Sequence, residues 1–261
     1  MAMGSFYFWH GLRQLHIDEH NFYIVQAKKR LLSSFENLEE QAHEFADNWF
    51  HELNQQFNHE FCDRDAILER GYEESIEHYI SLNNLKKQAY LSVLSGMFHQ
   101  FDKAVRNWLA KEMEYISKNG ENTRLAIWMK DFPELINLMD GLGYQISQSD
   151  FCKELLICHL VVNVYKHGRG KSFERLMENR PEYFTTKYDN QIPEDSRKWF
   201  ISHDRLEIKD EEIELFSNAI VAFWNFIPEN VYFSQIVKLP EWLEKAIEKD
   251  IAAKNGFIRI S

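Results

Sequence analysis

Helix breakers are scarce in this sequence and unevenly placed. Five prolines and ten glycines are all that 261 residues contain; proline removes a helix donor and glycine weakens a helix interior. Long stretches are left free to coil, and the expectation is an all-α fold, a multi-helix bundle around a central buried helix at about 149–167. Leu38, Ala42, Phe45, Trp49 and Leu53 recur at the spacing of one helical face, which predicts a long amphipathic helix over 22–57. Residues 66–117 read as one very long helix or two, with Ser92 to Gly96 the weakest point, and Lys118-Asn119-Gly120 the end.

Asp131-Phe132-Pro133 opens a short helix by putting proline in its first turn, Ser149-Asp150 caps the central helix, and Gly168 stops it. Ser172 is expected to cap a short helix to Asn179, Asp210 one that Pro228 ends, and Leu239-Pro240 the last, closing near Asn255-Gly256. The segment 185–209, with its Trp199-Phe200-Ile201 patch, reads as loop with a short strand or hairpin near 197–208. Met1 to Ser5 reads as a cloning scar, and 6–261 as a single helical domain, divisible into halves 6–118 and 122–261.

With 44% hydrophobic and 15% aromatic residues the chain can bury a core, which excludes the disordered class. Its formal charge of −11 disfavours a surface that broadly attracts nucleic acid or anionic lipid, so anion binding has to be local. The longest apolar stretch, Leu155 to Tyr165, is too short for a bilayer and carries His159 and Asn163. No basic start followed by an apolar run opens the chain, so a soluble, cytoplasmic protein is expected. Cys62, Cys152 and Cys158 have no metal-type spacing and read as reduced, buried thiols.

Apolar side chains fall on nearly every bearing of 151–167 when the segment is wound at roughly 100° per residue. His159, Asn163 and His167 interrupt them, spaced four and four, and so share one line down the helix. A buried polar group needs a partner, so the line is either a satisfied network with neighbouring helices or part of a site. Lys166-His167-Gly168-Arg169-Gly170-Lys171-Ser172 follows, with Arg175 and Arg180 beyond and only Glu174 and Glu178 opposing them. That local reversal of sign, two glycines and a helix start near Ser172 suit an anion. The plain alternative is a solvated loop whose cations offset a helix C-terminus. A Walker loop is excluded, because the upstream glycine is missing and a helix precedes the run.

Other groups read as structure. His43, Asp47 and His51 share a line but lie away from the apolar face of Leu38, Phe45 and Trp49, so a solvated face is expected and no metal site. Trp49, Trp108, Phe223 and Trp224 fall at helical spacing among apolar residues and read as core. Lys86-Lys87 and Lys245 to Lys249 read as ordinary charged faces.

Asn163-Val164-Tyr165-Lys166-His167-Gly168 resembles the helix-end motif of the HEPN superfamily, all-α domains with an Arg, then a polar residue, then a His some four to six positions after the Arg. The run from Lys166 to Ser172, continuing to Arg180-Pro181-Glu182-Tyr183-Phe184, and Ala222-Phe223-Trp224 to Pro228 also resemble uncharacterised bacterial proteins of similar length. Many HEPN members are metal-independent ribonucleases of toxin–antitoxin, abortive-infection or phage-defence systems, and act as dimers. Asn163 and His167 match the motif; Val162 stands where the family has arginine.

The resemblance implies His167 as general base with Asn163 orienting it; the cationic run and helix start beside them then put Lys166, Arg169, Lys171, Ser172 and Arg175 on the phosphate. It implies RNA or a nucleotide as partner, a homodimer, and neither metal nor cofactor. The missing arginine equally suits a non-catalytic module, an adaptor, immunity or defence-complex subunit that meets a protein partner. A small-molecule enzyme with a pocket lined by His159 and Asn163 is the third reading.

Overall fold

A computed structural model describes residues 5–56, 64–117, 120–185, 201–232, 236 and 238–258. The fold is all-α. β1 (Ser5–Tyr7) leads into α1 (His10–Arg30), a 3-10 turn at Leu32–Phe35, α2 (Leu38–Gln56) and α3 (Arg64–Ser117). Then come α4 (Glu121–Met129), α5 (Phe132–Gly141), a 3-10 turn at Ile146–Gln148, α6 (Asp150–His167) and α7 (Lys171–Asn179). Two more 3-10 turns, Pro181–Tyr183 and His203–Arg205, precede α8 (Asp210–Phe226), β2 (Asn230–Tyr232) and α9 (Glu241–Ile258). The chain forms two compact units, one of residues 1–24 and 94–261, the other of residues 25–93.

Several boundaries differ from the sequence expectation, each for a local reason. The helix expected over 22–57 is broken between Arg30 and Leu38, where Asn37 takes a left-handed φ of 57°, a conformation its short side chain tolerates. Conversely, α3 runs unbroken for 54 residues through Ser92 to Gly96. Gly96 is a packing residue there: a Cβ on it would lie 2.3 Å from the Tyr23 hydroxyl of α1. Ser172 lies inside the first turn of α7, after Gly170, and Asp210 begins α8 instead of preceding it. Asp131 does cap α5, accepting the Glu134 N–H at 3.3 Å.

The strand or hairpin expected near 197–208 is not formed over 201–208, which hold the 3-10 turn; 197–200 lie outside the described residues. The extended pair joins the segment before α1 to the segment between α8 and α9 instead. β1 and β2 are antiparallel, with Ser5 opposite Tyr232 and Tyr7 opposite Asn230. Phe6 and Val231 lie between them, both buried.

In the larger unit α6 packs against α5, α7 and α8. Leu155, Cys158 and Val161 are fully enclosed, as are Phe216, Ile220 and Phe223 of α8. An aromatic chain runs on through Phe101, Trp224, Phe8 and Trp108. Burial pushes the Cys152 thiol up to about 11 and that of Cys158 well above its usual range, which leaves both inert. Cys62 lies outside the described residues. Asp250 of α9, 4% exposed, ties α9 to the start of α4 by accepting from the backbone and side chains of Asn122 and Thr123 at 2.6–3.0 Å.

In the smaller unit the Phe50 ring of α2 covers Gly71, and Phe45 stacks on His78 at 4.0 Å. His43, Asp47 and His51 are exposed, and Trp49 is half-buried, edge-on to Phe50. Among the described residues no helix is long and apolar enough to cross a membrane, and no cluster of side chains has the composition of a metal site.

Candidate functional site at the tip of the central helix

The polar line of α6 divides into two environments. Its inner member, His159, faces the rings of Phe98 and Phe132, with centroids 5.8 and 6.0 Å away. Burial depresses its pKa, against the opposing pull of Asp131 and Asp102, so the imidazole is neutral near pH 7. The Nδ2 of Asn163 lies 3.0 Å from His159 Nε2. Helical side chains lean toward the N-terminus of their helix, and the Asn163 amide accordingly turns back to His159. It is His159, four residues earlier, that this asparagine orients.

The outer member, His167, is the last residue of α6 and is exposed, as is Lys166 beside it. Gly168 closes the helix at φ +69°, giving its N–H to the Val164 carbonyl at 2.8 Å. Arg169, Lys171 and Arg175 are exposed and Ser172 half-buried. The Arg169 guanidinium lies 6.0 Å over the Phe173 ring, a cation–π contact that steadies it at the surface. Arg180 plays a different part: its Nη2 reaches both oxygens of Glu154, at 2.9 and 3.0 Å, and bridges α6 to the residue after α7. The cationic run is therefore four outward charges, Lys166, Arg169, Lys171 and Arg175, and one structural charge.

Sequence reasoning missed His203. A backbone bond from Glu207 N–H to the Tyr183 carbonyl, 2.9 Å, ties the 3-10 turn at 203–205 to the end of the α7 region. The imidazole thereby reaches Gly168: a Cβ on that glycine would lie 2.9 Å from His203 Nε2 and 3.0 Å from Cδ2. Asp204 Oδ1 lies 3.2 Å from the same Nε2, and Ser202 Oγ donates to Asp204 Oδ2 at 2.8 Å. The signal that could have found it is Ser202-His203-Asp204, a run whose serine and aspartate favour a turn. Nothing in that run points to its neighbour, thirty-five positions earlier.

The tip of α6 thus gathers His167, His203 with Asp204, and exposed cations around one glycine with a positive φ. Such a surface can hold an oxyanion by charge and offer an imidazole to an acidic proton. Val162 is 4% exposed and packs in the core. Comparisons with protein-family models, curated proteins and solved structures give no match to this chain.

Proposed function

We propose that this chain is a HEPN-like cytoplasmic protein that binds RNA, or another nucleotide phosphate, at the tip of α6. The observation that carries the reading is the exposure of His167 together with Lys166, Arg169, Lys171 and Arg175 in a chain of net charge −11, around a glycine against which His203 is seated. In the catalytic form, two copies meet about a twofold axis, and His167 takes the proton of the 2′-hydroxyl. The freed O2′ attacks phosphorus, the bond to the 5′-oxygen breaks, and that oxygen leaves with a proton given by His203. The products are a 2′,3′-cyclic phosphate and a 5′-hydroxyl. Lys166, Arg169 and Lys171 offset charge developing on the phosphoryl oxygens, with Ser172 and Arg175 beside them. No metal enters these steps.

A second reading is supported by Val162. A family arginine at that position would supply a cation to the phosphate, and here the position is buried among apolar side chains. The same tip then serves a non-catalytic module that holds RNA or an acidic protein partner.

The test incubates the purified chain with total RNA and a chelator, beside His167→Ala and His203→Ala. Cleavage to 5′-hydroxyl ends that falls at least about a hundredfold in either variant supports the enzyme. Absence of cleavage by the unmodified chain removes it. Salt-dependent RNA binding that weakens in the Lys166→Gln, Lys171→Gln pair, with a slope shallower by about 1.4 for the two charges, then sustains the module.

A further inference from the structure

The larger unit holds a second recess, independent of the α6 tip. A cleft of about 1030 Å³ lies between the start of α1 and the later part of α3. His99, Lys103, Asn107 and Lys111 line it at intervals of four and so form one ridge of α3. All four are exposed. At 1.5 Å per residue the two lysines stand about 12 Å apart along the helix. Ala104 leaves room at the floor, and Trp108 beside it has a buried Nε1–H without an acceptor among the described residues.

The facing wall is aromatic. Trp9, 61% exposed, folds back over the first turn of α1, where a Cβ on Gly11 would lie 2.5 Å from its ring. Only glycine at 11 admits this pose of the indole. His16, next along the wall, stacks on Trp224 at 4.5 Å, and burial lowers its pKa. Two carboxylates border the cleft. Glu112, 8% exposed, accepts the Tyr7 N–H at 3.1 Å and is thereby held on the strand; Glu19 is exposed, 4.0 Å from His16. The ridge of α3 therefore offers cations and an amide opposite an exposed indole.

We infer that this cleft binds a nucleotide unit, the base stacked on Trp9 and the phosphate held by Lys103 or Lys111, with Asn107 between them to meet a polar edge. An aromatic ring joined to an anion matches both walls at once, whereas an apolar ligand would strand the lysines and a bare anion would leave the indole unused. The nucleotide comes either free or as part of a single strand, since the 12 Å between the lysines spans more than one phosphate.

Tryptophan fluorescence tests this with adenosine monophosphate, a short oligoadenylate and inorganic phosphate as titrants. Saturable quenching by the nucleotide is expected, at least about ten-fold weaker in Trp9→Leu and in the Lys103→Glu, Lys111→Glu pair. Gly11→Ala, which displaces the indole and keeps every charge, is expected to weaken binding several-fold. Tighter binding of the oligomer identifies a strand as the source; equal binding identifies the free nucleotide. Several outcomes overturn the assignment: no saturable quenching, phosphate alone binding as tightly, or folded variants that bind as the parent does. Loss of binding in Lys166→Gln with the cleft variants unaffected also overturns it, and assigns the nucleotide to the α6 tip instead.

Discussion

His159 and His167 lie eight residues apart on one line of α6 and meet opposite surroundings. His159 has Asn163 at its Nε2, aromatic rings on its faces, and Asp102, Arg106 and Asp131 near enough to affect its charge. Around His167 the side chains of Lys166, Arg169, Lys171 and Arg175 face water. The difference teaches how to separate structural from functional polarity on a single helix. A polar residue whose neighbours complete its bonding holds the fold together, and its loss is read in stability. One with cations and open solvent beside it is read in binding or catalysis.

The sharpest way to break this contrast is at the inner end, through Arg106. Its Nε donates to Asp102 at 2.7 Å, and its Nη1 to the carbonyls of Ile127 and Lys130 at 2.8 and 2.7 Å, closing the C-terminus of α4. Arg106→Met would leave those carbonyls and the Asp102 carboxylate enclosed without their donor. A cost of about 4 kcal/mol is expected in urea unfolding. A cost under about 1 kcal/mol would show that water already serves these groups, and the inner network would lose its structural role.

Acid should act on the same side of the contrast. Burial lowers the pKa of His20, bonded to Ser217 at 2.8 Å, to about 4, and lowers that of His159 as well. Between pH 4 and 6.5 the unfolded chain binds the protons that the folded one refuses. Stability from His20 is therefore complete above about pH 6.5 and declines as pH falls toward 4, by about 3 kcal/mol, and His159 acts in the same direction. His20→Gln keeps a partner for Ser217 and removes the titration, so its stability should fall less over that window. An unchanged slope, or a His20 resonance titrating near 6.5, would contradict the burial argument.

How much of this was legible follows from the range of the forces involved. The cap at Asp131 and the stop at Gly168 are set by residues within a turn, and both stood in the sequence. So did the course of α6, because its apolar positions report burial directly. The continuity of α3 was not, since Gly96 reads as a breaker until Tyr23 is found against it. The break between Arg30 and Leu38, where Asn37 takes a left-handed φ just before α2, falls where periodicity alone would have continued one helix. At the site, the exposed cations were legible as a reversal of sign. The direction of Asn163 and the arrival of His203 were not, because each depends on a neighbour that spacing on one helix does not identify.

Gly168 is where the outer end touches structure, and a substitution there sharpens the contrast by the smallest margin. At φ +69° and ψ −135° an L side chain is strained, and a Cβ would also crowd the His203 imidazole at 2.9 Å. Gly168→Ala is expected to cost about 2 kcal/mol in thermal unfolding, part from the backbone and part from the ring. Removing the ring separates them: in a His203→Ala background the same change should cost less, leaving the backbone share alone. Gly170 is the control, since among the described residues nothing lies within 4 Å of a Cβ there and its backbone is extended, so Gly170→Ala should be close to neutral. Equal costs for Gly168→Ala in the two backgrounds would mean that His203 does not pack on the loop. The second imidazole would then drop out of the proposed chemistry while His167 and its cations remained.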